Sequence, residues 1–157
     1  LFEEQQFMRE AIRLSVENMR AGKGGPFGAV IVKNGQIIAR GYNRVLETND
    51  PTAHAEVVAI REATAKLGAF HLEGCEMYAS CEPCPMCLGA IYWARLDKLY
   101  FANTKEDAAA IGFDDQFIYE EIERPLEARR CFTQPLLREE AQAAFREWAQ
   151  NPDKTLY

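Results

Sequence analysis

Phe27-Gly28-Ala29-Val30-Ile31-Val32-Lys33-Asn34-Gly35-Gln36-Ile37-Ile38-Ala39-Arg40-Gly41-Tyr42 reads as two strands joined by a two-residue turn. Phe27 to Val32 is apolar and β-rich. Asn34-Gly35 is the pair a type I′ hairpin turn favours, because both central residues need φ > 0. Gln36 to Tyr42 is the returning strand, and Asn43 falls where it ends. Upstream, residues 3–21 form an amphipathic helix with Met8, Ile12, Val16 and Met19 on one stripe. Gly22, Gly24, Gly25 and Pro26 stop it. Downstream, a polar loop over residues 44–53 is closed by Asp50-Pro51-Thr52. A helix then runs from about Ala53 to Leu67, with Val57, Ile60 and Leu67 inward and Gly68 as its stop.

Glu76 to Ala79 follows as a short strand, Cys84 to Arg95 as a helix, and Lys98 to Ala102 as another strand. The Cys84 helix is apolar on nearly all sides, which predicts burial. Thr104 to Ala110 and Asp114 to Ile122 read as short helices around Gly112. Cys131 to Gln134 reads as a last strand. Arg138 to Gln150 is an amphipathic helix carrying Ala141, Phe145 and Trp148, ended by Asn151-Pro152. Strands interleaved with helices after one hairpin predict an α/β fold with three layers, α/β/α, around a mixed sheet of about five strands. The whole chain, 1–157, reads as one domain, with no repeat and no interdomain linker.

Bulk properties narrow the function classes. The 157 residues are 48 % apolar with charges spread throughout, as in an ordinary soluble protein. No apolar run approaches the ~20 residues of a membrane span. Leu1 to Glu10 is charged and helical in pattern, unlike a secretory leader. The missing initiator methionine points to a slightly shortened start. Net charge is −6, and the few arginines that cluster, Arg124 and Arg129-Arg130, sit among glutamates. Phosphate neutralisation by a basic face supplies most nucleic-acid affinity, so this balance disfavours a nucleic-acid substrate. The five cysteines are odd in number, and three of them lie within seven residues, which argues against disulfide stapling and for a reducing cytoplasm.

Two short motifs carry the chemistry. Pro51-Thr52-Ala53-His54-Ala55-Glu56 supplies an imidazole and, two residues on, a carboxylate. Pro83-Cys84-Pro85-Met86-Cys87 supplies two thiols. Residues three apart share a helical face, so Cys84 and Cys87 can converge. Pro85 suits the first helical position, where a missing N–H does no harm. Residues two apart on a helix point roughly opposite ways, so His54 and Glu56 share a pocket only at a helix start opening into a cleft. His54, Cys84 and Cys87 make three ligands for one zinc per chain, and a fourth, open position marks a catalytic site. Zinc lowers the pKa of bound water from ~15.7 to about 7, and the resulting hydroxide can attack an amidine-like ring carbon. Glu56 is placed to move protons from that water to a ring nitrogen and the departing amine.

Other readings stand beside this one. Cys84-x-x-Cys87 alone is also a redox pair at a helix start. Cys81, Cys84 and Cys87 have iron–sulfur spacing, but Cys75 and Cys131 are badly placed as a fourth ligand. Cys81 could instead close a structural zinc site, and a non-catalytic zinc module is the alternative of another class. His71 reads as an ordinary surface histidine.

The H-x-E…P-C-x-x-C pattern is the signature of zinc nucleobase deaminases, and the chain resembles the cytidine-deaminase-like zinc enzymes over nearly every residue. The resemblance rests on Gly24-Gly25-Pro26-Phe27-Gly28-Ala29-Val30, Asn49-Asp50-Pro51-Thr52-Ala53-His54-Ala55-Glu56 and Ser80-Cys81-Glu82-Pro83-Cys84-Pro85-Met86-Cys87. Those three stretches also occur, loosely, in tRNA-adenosine and cytosine deaminases. Gly112-Phe113-Asp114-Asp115 and the closing Tyr157 resemble the guanine-deaminating bacterial branch. The resemblance implies hydrolytic deamination of guanine to xanthine and ammonia, with His54, Cys84 and Cys87 on zinc and Glu56 shuttling protons. It further implies that Asn43 and the Ala55 backbone hydrogen-bond the base, that Phe27 and Trp93 hold the ring, and that Asp115 reads a ring or exocyclic N–H. A homodimer with a swapped C-terminal segment, about 131–157, would bring Tyr157 to the partner's site. The runners-up are deamination of cytosine, guanosine or an aminotriazine, with tRNA adenosine below them. From the residues alone, Phe27 and Trp93 are equally plain core, Asp115 a helix cap, and Asn43 a turn former.

Overall fold

A computed structural model describes residues 2–157, which divide into two compact units, one running to Asp115 and the other Gln116–Tyr157. The first unit is built on the hairpin. Strands β1 (Gly28–Lys33) and β2 (Gln36–Tyr42) pair antiparallel through Asn34-Gly35, whose φ values of 52° and 74° are those of a type I′ turn. Strand β3 (Cys75–Cys81) runs antiparallel on the other side of β1, and β4 (Lys98–Asn103) runs parallel to β3. The sheet is therefore mixed, in the order β2-β1-β3-β4.

Alternation along the strands sends side chains to two helical layers. Leu14, Val30, Val32 and Tyr78 form one cluster with Phe7, Met8, Ile37 and Tyr100, under helix α1 (Phe2–Arg20). Tyr78 stacks on Tyr100 with ring centroids 4.7 Å apart and donates to Glu76 Oε1 at 2.8 Å. On the opposite face Ala29, Ile31, Ala39, Met77 and Ala79 meet helices α3 (Ala55–Leu67) and α4 (Pro85–Ala94). The α3 side of that layer is made of Ala55, Ala59 and Ala63, small residues that let the helix lie close to the sheet. At Gly41 the approach is closest: a Cβ there would lie 2.2 Å from the Ala55 carbonyl oxygen. The start of α3 is thus pressed onto the end of β2, and that is where the first motif lies.

Several elements differ from the sequence reading. The loop over 44–53 contains a four-residue helix, α2 (Val45–Thr48), ended by Asn49 in the left-handed region. Helix α3 begins at Ala55, not Ala53, because His54 keeps an extended backbone as the N-cap residue. The next helix also starts one residue late: Cys84 is its N-cap and Pro85 its first turn. Helix α5 (Lys105–Ala110) is held by a capping box between Thr104 and Asp107. The sheet has four strands among the described residues, against the expected five or so.

In the second unit, helix α6 (Gln116–Glu123), a 3₁₀ turn at Leu126–Ala128 and helix α7 (Arg138–Gln150) carry the regular structure. The strand expected at Cys131 to Gln134 is absent, and Phe132 there is 86 % exposed. A four-residue run has strand character only where a neighbour supplies a ladder and a surface to cover, and Pro135 removes one N–H from any such ladder. Among the described residues no helix is long and apolar enough to cross a membrane.

Candidate active site and metal centre

Both chemical motifs lie at helix starts, and in both the N-cap residue is a functional one. His54 has φ −72° and ψ 155°, so its side chain leaves the chain before the helical screw begins. This resolves how His54 and Glu56 share a pocket: Glu56 belongs to the helix and His54 does not. Cys84 repeats the geometry, with φ −68° and ψ 170°. Cys87 then sits one turn above Cys84 on the same face, fully buried. The two N-cap carbonyls accept the first helical bonds, from Val58 N–H at 2.9 Å and Leu88 N–H at 2.8 Å. Asp50 secures the loop entering α3 by accepting from the Thr52 N–H at 2.9 Å and the Thr52 hydroxyl at 2.7 Å.

The result is one cluster. His54 Nδ1 lies 3.5 Å from Cys84 Sγ and 3.5 Å from Cys87 Sγ. All three ligand atoms fall within 4.8 Å of one another. Tetrahedral zinc with Zn–S of ~2.3 Å and Zn–N of ~2.0–2.1 Å would set S···N at about 3.6 Å. The donor set and its spacing therefore fit zinc with little rearrangement. Cys81 is not in the cluster. It is buried, its thiol donates to the Thr104 carbonyl at 3.8 Å, and burial pushes its pKa up to about 11. That leaves neither the closed four-ligand site nor an iron–sulfur set among the described residues.

The charges suit proton transfer. Glu56 is buried, and loss of water is the main reason its carboxyl is held above the ordinary range, with the Cys84 charge adding to it. A buried carboxyl so raised suits a group that must both take and give a proton. Within the cysteine pair, the hydrogen bond from Cys87 draws the Cys84 pKa down to about 4, and His54 adds to this. Cys87, as the donor to Cys84 and a buried group, is pushed up. The hydrogen bond to Cys84 in turn raises His54. Metal ligation requires these protons to leave, so metal uptake here is coupled to proton release.

Around the cluster, Asn43 is buried, donates its backbone N–H to the Phe27 carbonyl at 3.1 Å, and accepts the Val45 N–H on Oδ1 at 3.1 Å. Arg44 N–H reaches back to the Ala53 carbonyl at 2.9 Å, closing the loop beside His54. Ala55 is fully buried at the start of α3. Asp115, partly buried, has its carboxyl raised chiefly by burial, with the Cys84 charge contributing, so it lies within electrostatic reach of the cluster. Trp93 is 71 % exposed on α4, while Cys87, Ile91 and Ala94 form that helix's buried face. Tyr157, in the second unit, is also exposed.

Three contributors were not singled out by the sequence reading. Phe113 meets Phe27 edge to face, with centroids 5.0 Å apart and planes at 88°. Ser80 Oγ accepts the Gly28 N–H at 3.0 Å, and Glu82 accepts the Lys105 N–H at 3.1 Å, tying the end of β3 to its surroundings. Ser80 and Glu82 flank Cys81 in the stretch that leads into the second motif, so their position was the available signal. For Phe113 the signal was its place beside Asp114-Asp115.

Comparison with known proteins places the chain. Residues 2–103 match the cytidine and deoxycytidylate deaminase zinc-binding region. The guanine deaminase of Bacillus subtilis is 53 % identical over 154 residues, covering 98 % of each chain. Its X-ray structure superposes with a TM-score of 0.94 at 52 % identity, again over 98 % of both. A guanine deaminase structure from Nitrosomonas europaea aligns with a TM-score of 0.67 at 38 % identity, over 90 % of this chain and 81 % of that one. A tRNA-specific adenosine deaminase of Aquifex aeolicus is 46 % identical over 62 % of this chain and 64 % of its own.

Proposed function

We propose, from the premise that this chain belongs to the cytidine and deoxycytidylate deaminase zinc-binding family, that it hydrolyses guanine to xanthine and ammonia. The observation that carries the chemistry is the His54–Cys84–Cys87 triad, with His54 Nδ1 3.5 Å from each sulfur, beside a buried Glu56. The observation that selects guanine is the match to a guanine deaminase over 98 % of both chains, which includes Gln116–Tyr157.

In this reading His54, Cys84 and Cys87 would hold one zinc per chain, and the metal would supply an acidified water for attack on the ring. Glu56 accepts a proton from the attacking water and delivers it to the ring nitrogen next to C2; the second proton, from the hydroxyl now on C2, then passes through Glu56 to the amine as the C2–N bond breaks. Its burial keeps bulk water from competing for that proton. Asn43 and the Ala55 backbone hydrogen-bond the base, while Phe27 and Trp93 contact its faces. Asp115 accepts from the N–H edge of guanine, which a carboxylate suits and an amide does not. Asp115→Asn is expected to lose about tenfold or more in kcat/KM for guanine with zinc content unchanged, since a mispaired buried polar group costs about 1–3 kcal/mol. Unaltered kinetics for that variant would reduce Asp115 to a structural residue.

The working unit is a homodimer of single-domain chains in the cytoplasm, with the segment about 131–157 exchanged between protomers. Supporting this, Phe132, Leu136, Phe145, Leu156 and Tyr157 are all at least 70 % exposed in the single chain, more apolar surface than a free segment usually shows. None of the five cysteines is disulfide-bonded, which suits a reducing compartment. Mixing two weak variants tests the exchange under conditions that reshuffle subunits. One is Glu56→Ala with an intact tail; the other lacks Tyr157 but keeps Glu56. If Tyr157 acts on the partner's site, a mixed dimer contains one complete site and activity returns. A mixture as weak as its parents would place Tyr157 on its own chain's site or on none.

Ammonia release from a panel of guanine, guanosine, cytosine, an aminotriazine and a tRNA anticodon stem-loop tests the function itself. Guanine is expected to lead. Selective action on the stem-loop would move the chain to the tRNA branch, and silence on all substrates would leave a zinc-binding module.

A further inference from the structure

We propose that Gly24 and Gly25 are positioning residues of the base pocket: a backbone shelf whose absent side chains leave room for the Asn43 amide and the Phe27–Phe113 ring pair. The inference rests on the reading of Asn43 and Phe27 as contacts to the purine. A Cβ on Gly24 would lie 2.2 Å from Asn43 Oδ1 and 2.4 Å from the Asn43 carbonyl oxygen. Neither glycine is among those with positive φ, so close approach, not an unusual backbone, is what demands glycine here.

The consequence is orientational. Asn43 Oδ1 is engaged by the Val45 N–H, and its backbone N–H by the Phe27 carbonyl. With Oδ1 turned toward the Val45 N–H, Nδ2 and its two hydrogens form the end of the amide left to face a ligand. Asn43 therefore presents a donor, suited to a carbonyl or an unprotonated ring nitrogen of the base. A methyl group on Gly24 would also meet the Asn43 carbonyl, which no turn of the amide relieves, so the backbone at Gly24 or Asn43 would shift and carry the donor with it.

Gly25 applies the same logic to the rings. Its Cβ would lie 3.0 Å from Phe27 Cε2 and 3.1 Å from Phe113 Cζ. Those ring edges can give by a few tenths of an ångström, so Gly25 tolerates substitution better than Gly24. Phe113 sits two residues before Asp115, so this shelf aligns the entry to the β1–β2 hairpin with the segment carrying Asp115.

A double-mutant cycle tests the idea. Native protein, Gly24→Ala, Asn43→Ala and the double variant are compared for guanine kinetics, zinc content and melting temperature. Gly24→Ala is expected to raise KM about tenfold or more while kcat changes less than about threefold and zinc is retained, the pattern of a lost binding contact. In the Asn43→Ala background the same change should alter KM less than about twofold, because the residue it positions is gone. Losses that multiply, or kcat and zinc falling together, would make Gly24 a folding residue and overturn the proposal. If Gly24→Ala does not fold, Gly25→Ala decides. It should raise KM about two- to fivefold with zinc retained, and unchanged kinetics would overturn the shelf. A native protein that releases no ammonia from guanine overturns the functional reading beneath it, whereas an active native protein with multiplicative losses overturns the shelf alone.

Discussion

Glu56→Gln is expected to fold, hold about one zinc per chain and release ammonia from guanine at least about a hundredfold more slowly than the native protein. General acid–base catalysis contributes typically ~10²–10⁴-fold, and here one carboxyl serves successive transfers. Glutamine has nearly the same shape and can keep neutral hydrogen bonds at the start of α3, but it can neither accept nor deliver a proton. The position is buried, so a solvent water cannot readily take over. The Cys87 thiol, with which Glu56 interacts, is not disturbed by the exchange as it would be by a smaller residue. Metal analysis and a melting curve, run beside the ammonia assay, separate lost chemistry from lost structure. A variant that kept more than about a tenth of the native rate would remove Glu56 from the mechanism.

What could be read before the fold was known, and what could not, follows from how local each feature is. The Asn34-Gly35 turn and Pro85 at a helix start are decided within a few residues, and both stand as read. The convergence of His54 with Cys84 and Cys87 was legible because ligand types at helix starts have few other uses. The backbone detail that permits it was not. His54 reads as helical by its neighbours, yet the strand end beneath Gly41 and the Asp50–Thr52 turn hold it extended. Asn43 reads as a turn former, and so it is. Its acceptor, however, is occupied by the Val45 N–H inside a loop that looked featureless. The Phe27–Phe113 contact joins positions 86 residues apart, and no periodicity signals such a pair. The strand expected at Cys131 failed for a related reason. Composition gave Cys-Phe-Thr-Gln its β character, but a strand is a property of two partners.

Cys84→Ser and Cys87→Ser are each expected to strip zinc and abolish deamination, whereas Cys81→Ser should keep both. A three-ligand site has no spare donor, and a serine hydroxyl is a far poorer ligand than a thiolate at neutral pH. Outer-sphere changes at zinc sites cost about 10–100-fold in metal affinity, and loss of a direct ligand should exceed that. The two thiols will not fail identically. Cys84 is partly exposed at the N-cap, and its replacement leaves α4 intact. Cys87 is fully buried against Glu56 and His54, so serine there also carries the cost of enclosing a hydroxyl, and its melting temperature should fall further. Cys81 donates to the Thr104 carbonyl, and a serine hydroxyl can make the same bond. Zinc per chain after dialysis, read for all three variants, is the deciding measurement. Zinc lost with Cys81→Ser would mean that the fourth position is closed by that thiol. Water would then have no place on the metal, and a binding module would replace the deaminase.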